Sequence, residues 1–428
     1  MKEPIQPALQ SLRVRTVNGL NIEAIRQQFP AFDRHEGDHP VAYFDGPAGS
    51  QVPQSVIDAV GHYMAHTNSN CGAPISTSQE SDTTLQHARE ALADFVGGSD
   101  PDEIVFGPNM TTLTLALSRT LGQTWGPGDE VVVTQLDHDA NVTPWVLAAQ
   151  RAGATVHHVP IDLTNCTLDQ SAYARLLSPR TKFVAIGYAS NAVGTVNPVK
   201  QMISAAREMG ALTFVDAVHL APHRLIDVAE LQCDFLTCSA YKFFGPHVGV
   251  IWGRKDLLEE LHPDKLRPSP ATGPGKWMTG TANHEGIAGA AAAVNYLSSL
   301  GTGNTRRDQL ATAFDAIACH ENALRRRLLE GLQELTEFRL WGLGLNAPES
   351  SRVPTVSVTH TSLSPRDMAT RLAHLGLYCW PGNHYAVPFT TAAGLEPDGT
   401  LRIGLLHYNT VGEVDRLLAG LRDVDSLV

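Results

Sequence analysis

The sequence predicts an α/β protein with a large domain built on a mainly parallel sheet and a smaller α/β domain at the C-terminal end. The first observation is length: 428 residues exceed one ordinary domain of about 150 residues. The second is that short apolar runs alternate with helix-periodic stretches from about residue 102 to 252, a pattern typical of parallel strands joined by crossover helices. The third is a separate set of shorter strand and helix signals after residue 335.

Six strands are predicted for the large domain, and most of them end in polar or small residues. They cover 103–106, 130–136, 182–189, 212–218, 235–239 and 249–253. The polar residues that follow include Asn109, His138, Asn191 and Asp216. Because ligand sites of open α/β sheets lie at the carboxyl ends of strands, we expect these residues to converge.

The rest of the chain is predicted in order from turn residues and apolar periodicity. A Pro/Gly-rich passage at 262–285 is predicted to be a loop, followed by helices at 285–299 and 305–335. Strands at 354–360 and 401–408 and helices at 364–376 and 411–421 then form the smaller domain. The predicted division is an N-terminal segment, 1–40, that packs on the small domain through its helix-like part at 22–31, a large domain, 41–304, and a small domain, 305–428.

Composition excludes several classes of protein. The chain is 43% hydrophobic and 18% charged, which is typical of a folded soluble protein. Its net charge of −12 disfavours binding to nucleic acid or to anionic membranes. The six cysteines have neither disulfide-scaffold density nor zinc-site spacing, and the N-terminal residues lack the apolar core of a signal peptide. We therefore expect a cytoplasmic enzyme with free thiols, no membrane partner and no metal.

Lys242 and Asp216 are the first candidates for chemistry. Lys242 follows a predicted strand in S-A-Y-K-F-F-G-P at 239–246, where its amine could carry a carbonyl cofactor as a Schiff base. Asp216 closes the strand L-T-F-V-D, and an unpaired carboxylate is costly at such a position. A carboxylate there could pair with the protonated ring nitrogen of pyridoxal phosphate.

Two further patterns fit the same cofactor. The string F-G-P-N-M-T-T at 106–112 places Asn109, Met110 and Thr111 at a strand-to-helix turn, where backbone amides bind phosphate. His138 follows another strand and could stack on the cofactor ring. Taken singly, each of these residues is more often an ordinary cap or loop residue.

Eight blocks of sequence, taken together in chain order, point to one family. They lie at 45–50, 106–112, 136–145, 190–199, 215–219, 239–249, 280–283 and 401–410. These blocks resemble the class V aminotransferase fold, and most closely the group II cysteine desulfurases and selenocysteine lyases. The resemblance spans about residues 45–415. It implies a fold type I pyridoxal 5'-phosphate enzyme with a seven-stranded sheet, acting as a homodimer with a shared active site on a small amino-acid substrate.

The resemblance also implies roles for individual residues. Lys242 would carry the cofactor and shuttle protons, Asp216 would contact the pyridine nitrogen, His138 would stack on the ring, and His219 would replace a glutamine at the ring hydroxyl. The phosphate contacts implied are Asn109, Met110, Thr111, Ser239, Tyr241 in place of a histidine, and Thr281 from the neighbouring subunit. Asn191 and Arg402 would bind the substrate carboxylate, with His384 and Tyr385 also at the substrate.

Tyr385 is the main departure from the desulfurase pattern. Those enzymes carry R-x-G-H-H-C-A, in which the cysteine takes sulfur from the substrate, whereas this chain reads W-P-G-N-H-Y-A at 380–386. Tyrosine cannot form a persulfide. Cys379, six residues before Tyr385, is predicted to be a core residue. The expected reaction is β-elimination from a cysteine derivative, of the C–S lyase type, with transamination or epimerisation as alternatives.

Two remote alternatives come from other classes. Asp216, His219 and His223 have the D-x-x-H-x-x-x-H spacing of a metal hydrolase site, although Ala221-Pro222 interrupts the helix that such a site needs. A non-catalytic member of the fold is the other alternative, and the presence of every cofactor-contacting residue type argues against it.

Overall fold

A computed structural model describes residues 19–426 and shows a seven-stranded and a four-stranded sheet, each packed against helices, together with three two-stranded sheets. Residues 1–18 of the predicted N-terminal segment lie outside the described residues. The α-helices, in chain order, are α1 (Ile22–Arg26), α2 (Gln54–His62), α3 (Ser76–Val96), α4 (Met110–Gly122), α5 (Thr143–Ala152), α6 (Gln170–Leu176), α7 (Val199–Glu208), α8 (Val228–Leu231), α9 (Lys255–Glu260), α10 (His284–Ser299), α11 (Arg306–Leu332), α12 (Pro365–Ala373), α13 (Val387–Ala392) and α14 (Val411–Arg422).

The strands include several of only two residues. In chain order they are β1 (His35–Glu36), β2 (His39–Pro40), β3 (Ala42–Tyr43), β4 (Ile104–Gly107), β5 (Glu130–Thr134), β6 (Thr155–Val159), β7 (Ile161–Asp162), β8 (Thr167–Leu168), β9 (Thr181–Gly187), β10 (Leu212–Asp216), β11 (Phe235–Ser239), β12 (Gly249–Gly253), β13 (Phe338–Trp341), β14 (Thr355–His360), β15 (Leu377–Tyr378), β16 (Trp380–Gly382) and β17 (Thr400–Gly404).

The large sheet has seven strands in the order β4-β12-β11-β10-β9-β5-β6. β6, β5, β9, β10 and β11 pair in parallel, whereas β12 is antiparallel to both of its neighbours. The predicted mainly parallel sheet is therefore confirmed. All six predicted strands are present, and β6 is an edge strand that the sequence analysis did not predict.

Both faces of this sheet are buried. In β9, Phe183 and Ala185 lie in one hydrophobic core, while Val184 and Ile186 lie in the core on the opposite face. Burial on both faces favours apolar side chains at successive positions, which explains the continuous apolar run from Phe183 to Ile186. Trp145 of α5 is fully buried and packs against Phe183 and Phe214, which anchors this helix to the sheet.

The second sheet is antiparallel, with the order β13-β14-β17-β16. α11, α12 and α14 contribute apolar side chains to its core, among them Leu328, Met368 and Leu417. Thr305 is the N-cap of α11: its hydroxyl accepts from the Asp308 amide while the Asp308 carboxylate accepts from the Thr305 amide, a capping box. The predicted helix at 305–335 and strand at 354–360 are therefore present with small shifts at their ends.

The N-terminal helix α1 contacts both halves of the chain. Arg26 donates to the carbonyl of Tyr408 and pairs with Glu413 of α14, each at 2.9 Å. Phe29, just after the helix, packs edge-to-face against Phe244 and Tyr296. The predicted domain boundaries stay a prediction. No helix within residues 19–426 is both long enough and apolar enough to cross a membrane.

Candidate active site

A cavity of about 600 Å³ lies at the carboxyl ends of the parallel strands. Ten of the fourteen predicted site residues line it: Asn109, Met110, Thr111, His138, Asn191, Asp216, His219, Ser239, Tyr241 and Lys242. These residues follow five different strands, and they converge because β4, β5, β9, β10 and β11 all end at the same edge of the sheet.

Lys242 projects from a short 3-10 turn, Ala240–Lys242, directly after β11. Its Nζ donates to the backbone carbonyls of Pro47 and Ala48, the latter at 3.1 Å. Burial, and secondarily the positive charge of Arg402, lower the pKa of Lys242 to about 7. A large share of this amine is therefore uncharged near neutral pH and can act as a nucleophile or base.

Asp216 ends β10 in a buried position at the cavity wall. One carboxylate oxygen accepts from the Val218 amide at 2.9 Å. Burial raises the pKa of Asp216 to about 6. A buried carboxylate that faces a cavity is stabilised by a positively charged ring nitrogen adjacent to it.

His138 presents a flat, neutral ring to the cavity. Its Nδ1 accepts from the Ala140 amide at 3.0 Å, so the proton of the neutral ring is on Nε2. Burial, and then the charges of Lys242 and Arg402, lower the pKa of His138 to about 4. A second ring, that of Tyr385, stacks on His138 with centroids 5.4 Å apart and planes at 17°.

The start of α4 forms one end of the cavity. Asn109 caps the helix by accepting from the Thr112 amide at 2.8 Å, and the Met110 amide donates to Ser239 Oγ at 3.1 Å. Gly249 of β12 passes directly behind this turn: a Cβ at Gly249 would lie 2.3 Å from the Asn109 carbonyl carbon. The amides and the helix dipole at this end favour an anion such as phosphate.

His219 and His223 are each bound to residues other than Asp216. His219 Nε2 is 2.9 Å from Thr355 Oγ1, and His223 Nδ1 is 2.8 Å from the buried Glu321 carboxylate. Within residues 19–426, no group of three or more His, Cys, Asp or Glu side chains is arranged to bind a metal ion. The D-x-x-H-x-x-x-H spacing therefore does not produce a ligand cluster here.

Three of the remaining four predicted residues connect to the cavity through Asn191. Arg402 of β17 donates from Nη1 to the Asn191 carbonyl at 2.8 Å, and burial lowers the pKa of Arg402 to about 9. Asn191 Nδ2 donates to the His384 carbonyl at 2.7 Å, and Tyr385 is the next residue. Thr281, the fourth, is exposed and lines a separate cavity of about 940 Å³ with His247 and Trp277.

Five residues that line the cavity are not among the predicted site residues, namely Asp137, Ala140, Gly187, Ala189 and Val218, and Asp45 lies nearby. Val218 lies in the wall two residues after Asp216. Asp137 is buried beside His138, where its two oxygens accept from the Gly187 amide, and burial raises its pKa to about 7. Asp45 is close enough for the charges of Arg402 and Lys242 to act on its pKa, which burial raises to about 6. The signal for Asp45 is its place at the start of the block at 45–50, D-G-P-A-G-S, which belongs to the family resemblance.

No cysteine lines the cavity within the described residues 19–426, which include all six. Cys379 is buried, as predicted from its strand, and burial raises the pKa of its thiol. The exposed cysteine is Cys319, on α11.

A model of the aminotransferase class-V family matches residues 42–417. A probable cysteine desulfurase from Vibrio cholerae serotype O1 is 31% identical over 424 residues, covering 96% of this chain and 100% of that relative. A probable cysteine desulfurase from Streptomyces coelicolor is 32% identical over 425 residues, covering 95% of this chain and 97% of that relative.

Two solved structures share the fold over nearly the whole chain. The apo cysteine desulfurase of Thermococcus onnurineus NA1 superimposes with a TM-score of 0.84 at 26% identity, covering 95% of this chain and 98% of that one. A cysteine desulfurase of Escherichia coli gives 0.81 at 25% identity, covering 96% and 100%. The predicted fold type I architecture is confirmed. Matched in sequence and in structure over nearly all of its length, the chain is an enzyme of the class V aminotransferase family, similar to cysteine desulfurases.

Proposed function

We propose that this protein is a pyridoxal 5'-phosphate enzyme that eliminates the β-substituent of a cysteine derivative. The family is PLP-dependent. The observation that carries the choice of reaction is that the cavity contains the lysine but no cysteine.

The residues at the cavity fit this cofactor. The amides at the start of α4, with Ser239, would bind its phosphate, and the neutral ring of His138 would lie against its ring. The raised pKa of Asp216 supports a cationic ring nitrogen next to that carboxylate, because a positive charge there would offset the cost of burial. When bound, the cofactor supplies a ring that withdraws electrons from the α-carbon of an amino acid.

Arg402 is suited to bind the α-carboxylate of the substrate. Its Nε is buried and has no hydrogen-bond partner within residues 19–426, while Nη1 is fixed on the Asn191 carbonyl. A guanidinium anchored on one side and free on another can bind a carboxylate with charge-assisted hydrogen bonds. An amino acid bound there would be held by its carboxylate next to Asn191, which lines the cavity that contains the Lys242 amine.

Lys242 is the group that would move the proton. With a pKa near 7, its amine can accept the α-proton from the substrate. The carbon–sulfur bond at the β-carbon then breaks, and the thiolate leaves with the electron pair. Hydrolysis of the remaining unsaturated amine gives pyruvate and ammonia. This sequence is redox-neutral and needs no protein nucleophile, whereas desulfuration needs a cysteine at the substrate sulfur.

The test is a product analysis with cysteine, cystine and S-alkyl cysteines. Elimination predicts pyruvate and ammonia in step with released thiol or sulfide. If a keto acid forms only when an amino acceptor is present, the reaction is transamination and not elimination. If the substrate only loses its stereochemistry, the reaction is epimerisation. Lys242→Ala is the inactive control. A Cys71→Ser, Cys319→Ser, Cys379→Ala triple variant should keep its activity, and stoichiometric alanine with a persulfide on any cysteine would overturn the proposal.

We further propose a homodimer in which Thr281 contacts the phosphate bound by the other subunit. Support comes from the exposed position of Thr281 in the loop before α10, outside the wall of its own subunit's cavity. Thr281→Ala should weaken cofactor binding without changing the fold. A monomer in solution with full cofactor occupancy and activity would refute this arrangement.

A further inference from the structure

The side chain of Tyr385 lies against His138 although most of it is solvent-exposed. The two rings are nearly parallel, at 17°, with centroids 5.4 Å apart, and 70% of Tyr385 is exposed. A backbone hydrogen bond also joins the two segments next to these rings: the Asp139 amide donates to the Tyr385 carbonyl at 2.7 Å. The contact is therefore fixed by the main chain as well as by the rings.

The turn that carries Tyr385 is held in an uncommon conformation. His384 and Tyr385 have φ of +57° and +56°, a region that costs free energy for residues with side chains. Three hydrogen bonds fix the turn: Asn191 Nδ2 to the His384 carbonyl at 2.7 Å, the Tyr385 amide to Asn383 Oδ1 at 3.1 Å, and His384 Nε2 with Thr400 Oγ1 at 3.0 Å. The chain thus accepts strain at two successive residues and fixes the direction of the tyrosine.

A single hydrogen bond does not fix the plane of the His138 ring. Its hydrogen bond with the Ala140 amide involves one ring atom, Nδ1, and so leaves the tilt of the ring plane about that atom unfixed. His138 lines the cavity, whereas Tyr385 is not among the lining residues and is mostly exposed to solvent, so Tyr385 contacts His138 from outside the cavity wall.

We propose that Tyr385 is a positioning residue that holds the His138 ring flat against the cavity, parallel to the ring of the cofactor bound there. The inference rests on the proposed function for the identity of the cofactor, but the contact between the two rings does not. The desulfurase resemblance assigns a nucleophile to position 385. In this chain the residue at that position, Tyr385, instead supports the ring of His138. The ring of Tyr385 matters for this role, and its hydroxyl does not.

The first test uses the full-length protein without cofactor. Histidine ring signals are recorded by NMR after selective isotope labelling, with a His138→Gln variant to assign the His138 signal. Tyr385→Ala should shift that signal by removing the ring current of the tyrosine, and Tyr385→Phe should leave it nearly unchanged. Val387→Ala, which truncates another exposed side chain two residues away, is the matched control and should have no effect.

The second test measures the dissociation constant of pyridoxal 5'-phosphate for the same proteins. Aromatic pairs of this kind contribute enough that Tyr385→Ala should weaken cofactor binding about two- to tenfold, with Tyr385→Phe close to the wild type. An unchanged His138 signal in Tyr385→Ala would overturn the proposal, and so would an equal loss in Tyr385→Phe. If no protein binds the cofactor, the proposed function fails, while the NMR comparison still decides whether the rings of Tyr385 and His138 are in contact.

Discussion

The low pKa of Lys242 predicts how the rate of covalent cofactor attachment depends on pH. Attachment requires the uncharged amine, and burial together with the charge of Arg402 lowers the pKa of Lys242 from its ordinary value to about 7. The uncharged fraction is then about 9% at pH 6, about 50% at pH 7 and about 91% at pH 8. The rate should rise about tenfold from pH 6 to pH 8 and then level off.

An ordinary lysine would behave differently, because its rate would rise about tenfold for each pH unit up to about pH 10. The assay mixes cofactor-free protein with pyridoxal phosphate, traps the product with borohydride at timed intervals and quantifies the peptide that contains Lys242. A small-molecule amine of known pKa, treated in parallel, corrects for the ionisation of the cofactor itself. A corrected rate that still rises tenfold per pH unit above pH 8 would refute the reasoning. Arg402→Met should move the levelling point to higher pH, since it removes a like charge.

Three further predictions follow from the same geometry. Arg402→Ala should raise the substrate KM by an amount equivalent to roughly 2–5 kcal/mol, measured by steady-state kinetics, while the cofactor stays bound; an unchanged KM would contradict the carboxylate assignment. Asp216→Asn should lower kcat on the order of a hundredfold by removing the charge next to the ring nitrogen, and near-normal turnover in this variant would refute that role. Gly249→Ala should destabilise the protein by about 1–3 kcal/mol in urea denaturation because the new Cβ meets the Asn109 backbone, and an unchanged midpoint would show that α4 can shift freely.

The parallel sheet was predictable from the sequence because strands that are buried on both faces consist largely of apolar residues. A strand such as F-V-A-I, at 183–186, is buried on both faces and therefore contains only apolar residues. β6 reads T-V-H-H-V and lies at the sheet edge with only Val159 fully buried, so it carries no such pattern. β16 contains Pro381 and is three residues long, which also removes the usual strand signal.

The candidate site was predictable where a residue follows a strand, and unpredictable where the fold brings distant segments together. Asp216, Ser239 and Lys242 could be placed because the ends of parallel strands meet at one edge. The stacking of Tyr385 on His138 joins positions 247 residues apart, a separation that no local pattern encodes. The roles of the individual site residues stay predictions.

The wide sequence separation of the site residues has a consequence for biosynthesis. Lys242 contacts Pro47 and Ala48, which precede it, but Arg402 is translated 160 residues later than Lys242. At about 5–20 residues per second, the nascent chain carries the reactive lysine for about 8 to 32 seconds before the arginine has been made. A chain interrupted in that interval contains the lysine and the strand ends around it, without the group proposed to anchor the substrate. Incomplete translation products of this protein should therefore retain the amine proposed to attach the cofactor while lacking the arginine proposed to bind an amino acid.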